Sequence, residues 1–157
     1  MIRGILVATD ASPAANNAVD LGADLAAKYR IALSLLYVAR DMQLPAEMSG
    51  MAELKKIAAP RREVFQLVGR RIVGDARLRA ESKGVERIDT AVAEGDPADQ
   101  IIKHAQARGV NLIVMGTRGL SQMKSMLLGS VSRKVINSTD ISCLVVKSEM
   151  DAVEQQP

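Results

Sequence analysis

The sequence predicts an α/β fold: an open parallel sheet of five strands in the order 3-2-1-4-5, with helices on both faces, as in Rossmann-like and flavodoxin-like proteins. Three observations predict it. Short aliphatic runs alternate with amphipathic segments along the 157 residues. Most runs are apolar throughout, which is typical of strands covered on both sides. One run alternates apolar and polar residues, which is typical of a sheet edge. We expect one domain over residues 1–148 and a polar tail over 149–157.

The first strand, helix and second strand follow one another closely. Ile2–Thr9 is almost continuously aliphatic and is predicted as a buried strand. Ser12 is a favourable N-cap, and Pro13 suits the first helical position because no helical hydrogen bond is needed from its nitrogen. An apolar stripe continues this helix to about Tyr29, and Ile31–Val38 is the second strand.

The middle of the chain predicts a loop, a long helix and the edge strand. Residues 40–53 contain proline, serine and glycine and are predicted as a loop. A helix is predicted from Pro60 to Lys83, with Gly84 as its natural stop. Arg87–Ala93 alternates and is therefore assigned to the edge of the sheet.

The last third completes the alternation. Asp96 is predicted to cap a third helix that runs to about Arg108. Asn111–Met115 is a short apolar strand, and Ser130 is predicted to cap a fourth, short helix. Ser142–Lys147 is the last strand, and its stretch Ser142–Val146 carries no charge, so at a sheet edge it would invite pairing with a second chain.

Composition excludes several classes of protein. Lys and Arg number 21 against 18 Asp and Glu, and 48% of the residues are apolar, which is ordinary globular usage. The only cysteine, Cys143, excludes an internal disulfide and a metal–thiolate cluster. No apolar stretch approaches the ~20 residues of a membrane span. The basic segment Lys55–Lys83 contains one aromatic, Phe65, so nucleic-acid binding is not expected and a solvated helix face is favoured. We expect a soluble cytoplasmic protein without membrane contact.

A glycine-bearing loop is the strongest chemical signal. Gly116-Thr117-Arg118-Gly119 follows a buried strand, and Gly129-Ser130 follows nine residues later at the start of a helix. Glycine lets backbone N–H groups approach an anion, and a helix start offers unpaired N–H donors to phosphate. Arg118 would neutralise phosphate charge, and Lys124 is a weaker candidate. The alternative is a turn with two solvated cations.

Asp10 ends the first strand, at the edge where open parallel sheets bind ligands. Its carboxylate would accept hydrogen bonds from ribose hydroxyls or approach a cation, or it would only help to cap the following helix. No G-x-x-x-x-G-K-[ST] motif is present, and no G-x-G-x-x-G motif follows the first strand. His104, the only histidine, falls on the polar side of the third helix, so no catalytic residue is assigned.

These motifs resemble the ATP-binding type of the universal stress protein family. Gly116, Gly119, Gly129 and Ser130 fit its G-x2-G-x9-G-[ST] signature, and the opening V-x-x-D-x-S is matched from Val7 to Ser12. The Leu-Leu-Gly-Ser-Val-Ser that ends at Ser132 matches its helix start. The chain departs from the family at the last strand, where Cys143 is followed by leucine rather than proline.

The resemblance implies a nucleotide that lies across the carboxyl ends of strands one, two and four. The main chain of Val38 would bind adenine, Asp10 and Gly116 would lie near the ribose, and Mg2+ would bind the phosphate oxygens. No protein side chain is assigned to the metal, and Asp10 is the one candidate. The residues that the resemblance and the loop chemistry assign to the nucleotide site are Ala8, Thr9, Asp10, Val38, Met115, Gly116, Arg118, Gly119, Gly129, Ser130, Val131 and Ser132.

Three functions follow from these readings. The first is an ATP-binding, or ADP- or AMP-binding, regulatory protein of the stress response with at most slow hydrolysis. The second is a nucleotide hydrolase or adenylyl transferase, which the lack of a base placed to activate water disfavours. The third is an interaction module that needs no ligand. The resemblance also implies a homodimer joined along Ser142–Lys147, or a tetramer.

Overall fold

A computed structural model describes residues 1–40, 52–119 and 128–148, with only the backbone of residues 52–60. All five strands of the sheet are parallel, in the order β3-β2-β1-β4-β5, so the predicted fold class is confirmed. The strands are β1 (Gly4–Ala8), β2 (Ala32–Arg40), β3 (Ile88–Gly95), β4 (Leu112–Gly116) and β5 (Ser142–Val146), and the helices are α1 (Pro13–Tyr29), α2 (Ala52–Ser82), α3 (Pro97–Ala107) and α4 (Ser130–Ser138).

Two apolar layers cover the two faces of the sheet. Successive strand residues point to opposite faces, so Ile5 and Val7 of β1 pack with α1 and α2, whereas Leu6 packs with α3 and α4. Few aromatic residues are available, and the layers consist of Val, Ile, Leu, Ala and Met. Helices therefore lie on both faces, and the winding of the sheet reverses between β1 and β4, where such sheets form a crevice.

Helix α1 begins as predicted. Ser12 is its N-cap, and the Ser12 hydroxyl accepts a hydrogen bond from the Ala15 N–H at 3.2 Å. The same hydroxyl donates to the carbonyl of Arg118 at 3.3 Å, so one buried side chain both starts α1 and fastens the loop after β4 to it.

Ser12→Ala is expected to lower the free energy of unfolding by about 1–2 kcal/mol, because it removes both a helix cap and a buried hydrogen bond. Urea unfolding followed by circular dichroism measures the change. Ser82→Ala, which removes an exposed hydroxyl at the end of α2, is the matched control and should change it by less than about 0.5 kcal/mol. Equal losses in the two variants would contradict the role of Ser12.

Two predicted helix starts are wrong. Helix α2 begins at Ala52 rather than at Pro60, and β2 continues to Arg40, so both ends of the predicted loop over 40–53 belong to regular elements; residues 41–51 lie outside the described residues. Residues 52–59 are mostly strong helix formers, and they outweigh the one hydrogen bond that proline cannot donate. Helix α4 has Gly129 as its N-cap, with Ser130 as the first helical residue. The other boundaries agree with prediction to within two residues.

The basic residues of α2 and of the turn after it form several ion pairs. Arg71–Asp75 and Arg77–Glu81 pair along the helix, while Arg79 and Lys83 pair with Asp20 and Asp24 of α1. This is the pattern of a solvated helix face, and each exposed pair adds little to stability. Within the part of the chain that the structure describes, no helix is long and apolar enough to cross a membrane.

Candidate functional site

A cavity of about 180 Å³ opens at the carboxyl edge of the sheet, above the ends of β1, β2 and β4. This is the edge at which an open parallel sheet is expected to bind ligands. Its wall combines an apolar part, a carboxylate and glycine-containing backbone. The lining residues are Ala8, Thr9, Asp10, Ala15, Leu36, Val38, Arg40, Pro97, Ile101, Met115, Gly116, Thr117, Arg118, Gly119, Gly129, Val131 and Ser132.

The turn between β1 and α1 fixes the carboxylate of Asp10. Ala11 takes a left-handed backbone conformation with φ of 63°, which costs energy for a residue with a Cβ. The turn holds it there: the Ala11 N–H donates to Thr9 Oγ1 at 3.2 Å, and the Ser12 N–H donates to Asp10 Oδ1 at 2.9 Å. One carboxylate oxygen is thereby anchored to the backbone, which orients Asp10 at the cavity wall.

Two glycines of the predicted loop are needed because the backbone passes very close to other groups. A Cβ on Gly119 would lie 2.5 Å from Asp10 Oδ2. A Cβ on Gly116 would lie 2.8 Å from the backbone nitrogen of Ala15 and 2.9 Å from Ala14 atoms. Only glycine therefore lets the end of β4 pack on α1 and lets the loop reach Asp10.

The two ends of this loop are joined at one carbonyl group. The Thr117 carbonyl accepts hydrogen bonds from the Gly129 N–H at 2.7 Å and from the buried Ser132 hydroxyl at 3.3 Å. The Ser132 hydroxyl also donates to the Gly129 carbonyl at 3.1 Å. The predicted phosphate donor Ser132 thus uses its side chain to hold the backbone in place.

The start of α4 presents backbone donors to the same region. Gly129 caps the helix without a side-chain hydrogen bond to the first turn. The N–H groups at the start of a helix lack helical partners and favour anions. Gly129, Val131 and Ser132 of this helix start line the cavity, whereas Ser130 lines an adjacent one.

The apolar part of the wall faces this polar edge. Leu36 and Val38 of β2, Ile101 of α3 and Met115 of β4 form it, and Leu36, Ile101 and Met115 are buried. A flat apolar group such as a nucleobase fits such a wall, while a polar remainder would meet Asp10 and the glycine backbone.

The sequence profile of the universal stress protein family matches residues 1–147. The chain belongs to the universal stress protein family. Universal stress protein YxiE of Bacillus subtilis is 37% identical over 150 residues, which are 94% of this chain and 100% of YxiE. Universal stress protein MJ0531 of Methanocaldococcus jannaschii is 32% identical over 151 residues, which are 94% of this chain and 83% of MJ0531.

Solved structures agree with this membership. The structure of MJ0577, also from Methanocaldococcus jannaschii, has a TM-score of 0.73 at 25% identity and covers 92% of this chain and 95% of its own. A universal stress protein in complex with cAMP has a TM-score of 0.63 at 26% identity and covers 94% of this chain and 98% of its own.

In this universal stress protein the cavity wall includes residues that the motifs did not indicate. The lining residues that were not predicted as site residues are Ala15, Leu36, Arg40, Pro97, Ile101 and Thr117. The strand pattern contained part of the signal, because Leu36, Val38 and Arg40 alternate along β2 and therefore share a face. Pro97 and Ile101 could not be placed in this way, because only the packing of α3 over the sheet brings them to the wall.

A second cavity of about 420 Å³ adjoins the first and shares Arg40, Pro97 and Val131 with it. It lies between the end of β2, the start of α3 and the first turns of α4. The lining residues are Arg40, Gly95, Asp96, Pro97, Ala98, Ser130, Val131 and Lys134.

A clamp of three charged side chains joins α3 to α4 beside this second cavity. The Lys134 ammonium lies 3.0 Å from Asp96 Oδ1 and 2.9 Å from Asp99 Oδ1. Asp96 also caps α3, since its carboxylate accepts a hydrogen bond from the Asp99 N–H at 3.1 Å. That backbone hydrogen bond, followed by the hydrogen bond from Lys134, lowers the pKa of Asp96, while the two carboxylates raise the pKa of Lys134.

The stability of the protein should therefore depend on the ionisation of Asp96. A carboxyl group with a lowered pKa in the folded state stabilises the fold above its ordinary pKa of 3.8, and the contribution is lost as the pH falls through the lowered value. Asp96→Asn is expected to lower the free energy of unfolding at pH 7, with the deficit shrinking in acid. Urea unfolding from pH 7 to pH 3 measures this.

Asp75→Asn is the matched control, since it breaks an exposed pair within α2 and should have little effect at either pH. A deficit in Asp96→Asn that stays constant with pH would show that the charge of Asp96 contributes nothing.

The remaining reactive side chains lie away from the cavities. His104 is half-buried on α3, and its Nδ1 lies 2.9 Å from the Gln100 carbonyl oxygen. Cys143 packs against the apolar layer of α3 and α4, and burial raises the pKa of its thiol, which disfavours the nucleophilic thiolate. Lys124 lies outside the described residues.

Proposed function

We propose that this universal stress protein binds an adenine nucleotide in the first cavity and acts as a regulatory module of the stress response. ATP is the expected ligand, with ADP and AMP as alternatives. The observation that carries the proposal is the position of Asp10 Oδ2 against Gly119, opposite the apolar wall, which places a carboxylate and a glycine backbone around one cavity. The relative in complex with cAMP supports an adenine nucleotide as the ligand class.

Each part of the nucleotide has a chemically suitable surface. Adenine would lie on Val38 and Met115, with the main chain of Val38 as its hydrogen-bonding edge. The ribose hydroxyls would donate to the Asp10 carboxylate beside Gly116.

The phosphates would meet the backbone of Gly119 and of the α4 start, with Arg118 as a nearby cation. Ser130 and Val131 would contribute through the first turn of α4. Because the Ser132 hydroxyl already donates to two carbonyls, Ser132 would contribute its N–H rather than its side chain.

A magnesium ion would be held by the phosphates more than by the protein. Among the described residues no group of three or more His, Cys, Asp or Glu side chains is arranged to hold a metal. Among the described residues that line the cavity, Asp10 is the one with an acidic side chain. Mg2+ bound to nucleotide phosphates keeps several waters and needs only one or two protein carboxylates, so Asp10 fits this role.

Slow hydrolysis at most is expected. The side chains lining the first cavity include no histidine, and Asp10 has one oxygen engaged with the Ser12 N–H. Rapid phosphoryl transfer requires an oriented nucleophile and several positioned cations. The geometry therefore favours binding and release over turnover.

We further propose a homodimer through the Ser142–Lys147 segment, or a tetramer built from it, in the cytoplasm. Strand β5 pairs only with β4 in the described sheet, so its outer edge is available to a second chain. Analytical ultracentrifugation tests this, and a monomeric mass at micromolar concentration would overturn it.

Equilibrium dialysis against ATP, ADP, AMP, cAMP and NAD tests nucleotide binding, and mass spectrometry of the purified protein identifies any retained nucleotide. We expect saturable binding of adenine mononucleotides that Asp10→Ala weakens. Absence of binding at millimolar concentrations would refute the proposed function and favour the ligand-free interaction module. Rapid product formation from ATP and Mg2+ would instead favour an enzyme.

A further inference from the structure

The second cavity has the size and position of a continuation of the nucleotide site. The first cavity, at about 180 Å³, is small beside the roughly 300–1,000 Å³ typical of small-molecule sites. The second, at about 420 Å³, shares three lining residues with it. A ligand that begins against the apolar wall can therefore extend past Arg40 and Val131 without crossing bulk protein.

The charges lining the second cavity favour an anion. Two lining side chains are positive, Arg40 and Lys134, and one is negative, Asp96. The ammonium of Lys134 is already held between two carboxylates, and Asp96 is compensated by that ammonium and by backbone N–H groups. Within the described residues the guanidinium of Arg40 makes no hydrogen bond or ion pair. Arg40 thus supplies a positive charge that no other described lining residue of the second cavity balances.

Arg40 also stands where the two cavities meet. It is the last residue of β2, two residues after Val38 on the same face, and it lines both cavities. Ser130, the first residue of α4, also lines the second cavity, and its neighbours Gly129 and Val131 line the first. A phosphate leaving the glycine-containing backbone along α4 would therefore arrive between Ser130 and Arg40.

Resting on the proposed nucleotide site, we propose that the second cavity is a phosphate subsite in which Arg40 binds a phosphate group that AMP lacks. The planar guanidinium suits phosphate because two N–H groups can donate to two oxygens at once. The phosphate has two chemical sources, the terminal phosphates of ATP or a second phosphate on the ribose. Arg40 thereby makes the site prefer the more highly phosphorylated adenine nucleotide.

Isothermal titration calorimetry with AMP, ATP and adenosine 3′,5′-bisphosphate tests this on the full chain. The variants are Arg40→Gln, Arg40→Lys and the matched control Arg70→Gln, which removes one exposed arginine from α2. We expect the wild type to bind ATP or the bisphosphate at least about fivefold more tightly than AMP. A gain of this size is typical of one charged hydrogen bond at a partly exposed site.

Arg40→Gln should abolish that preference by weakening the binding of ATP or the bisphosphate more than the binding of AMP, whereas Arg40→Lys should retain part of it. If Arg40→Gln loses the preference for ATP, the terminal phosphates are the group that Arg40 binds. If it loses the preference for the bisphosphate, the ribose phosphate is that group. The preference of the wild type should also weaken at higher salt more than that of Arg40→Gln. Arg70→Gln should behave as wild type throughout.

The subsite is refuted if the wild type binds all three ligands equally, or if Arg40→Gln keeps the wild-type preference. In either case AMP binding still supports the proposed function, so the two failures are distinguishable. A wild-type protein that binds none of the three refutes both. Thermal unfolding of each variant confirms that a lost preference does not come from a lost fold.

Discussion

Gly119→Ala is expected to lower the affinity for adenine nucleotides about tenfold to a hundredfold while leaving the fold stable. The added Cβ would lie 2.5 Å from Asp10 Oδ2, which is much closer than these atoms can approach. Asp10 is tethered to the Ser12 N–H, so it must give up that hydrogen bond or turn away from the ribose position. Either movement removes a charge-assisted hydrogen bond from the bound nucleotide.

A double-mutant cycle isolates this cause. Asp10→Ala should weaken binding by a similar factor, and adding Gly119→Ala to it should cost little more, because the clashing carboxylate is gone. Calorimetry measures affinity, and urea unfolding checks stability. Gly74→Ala, in α2 and outside the cavity lining, is the control and should bind as wild type. Unchanged affinity in Gly119→Ala would mean that Asp10 does not contact the ligand.

The second large effect concerns two glycines within helices, for which substitution by alanine should change the free energy of unfolding in opposite directions. In α1, a Cβ on Gly22 would lie 2.6 Å from Val7 Cγ2, inside the fully buried layer between α1 and β1. In α2, a Cβ on Gly74 would meet no atom within 4 Å. Alanine at Gly22 therefore overpacks the core, while alanine at Gly74 only restricts the unfolded chain and improves helix propensity.

We expect Gly22→Ala to lower the free energy of unfolding by about 2 kcal/mol and Gly74→Ala to raise it by up to about 1 kcal/mol. Urea unfolding of both variants under identical conditions measures the difference. Val7→Ala should make room for the new methyl group, so the double variant with Gly22→Ala should be more stable than the sum of its single effects predicts. A stabilised Gly22→Ala variant would show that α1 can move away from the sheet.

The fold was predictable because its signals are local. Apolar runs such as Ile2–Thr9 can be buried on both faces only in a parallel sheet, and Ser12 with Pro13 marks the start of α1 without tertiary information. The start of α2 was not predictable, since Pro60 is a strong local stop that a long run of helix formers overrides. Likewise Ser130 and Gly129 are both acceptable N-caps, and only the backbone geometry chooses Gly129.

The residues of the candidate site that belong to sequence motifs were predictable, whereas those that helix packing brings to the site were not. The glycines and Asp10 belong to spaced motifs, and the structure brings them to one cavity. The second cavity lies where α3 and α4 meet above the sheet edge. Its net charge depends on the ion pairs that Lys134 forms with Asp96 and Asp99. Because Lys134 is far from Asp96 and Asp99 in the sequence, no periodic pattern of residues predicts these ion pairs.

The shared carbonyl acceptor of Thr117 has a practical consequence for sensor construction. This carbonyl accepts hydrogen bonds from the Gly129 N–H and the Ser132 hydroxyl, and these two contacts hold the end of β4 beside the start of α4. Lengthening an already closed connection is cheap, roughly 0.6 kcal/mol for each doubling. A fluorescent peptide spliced between the stems would therefore sit beside the ligand while the sheet assembles as before.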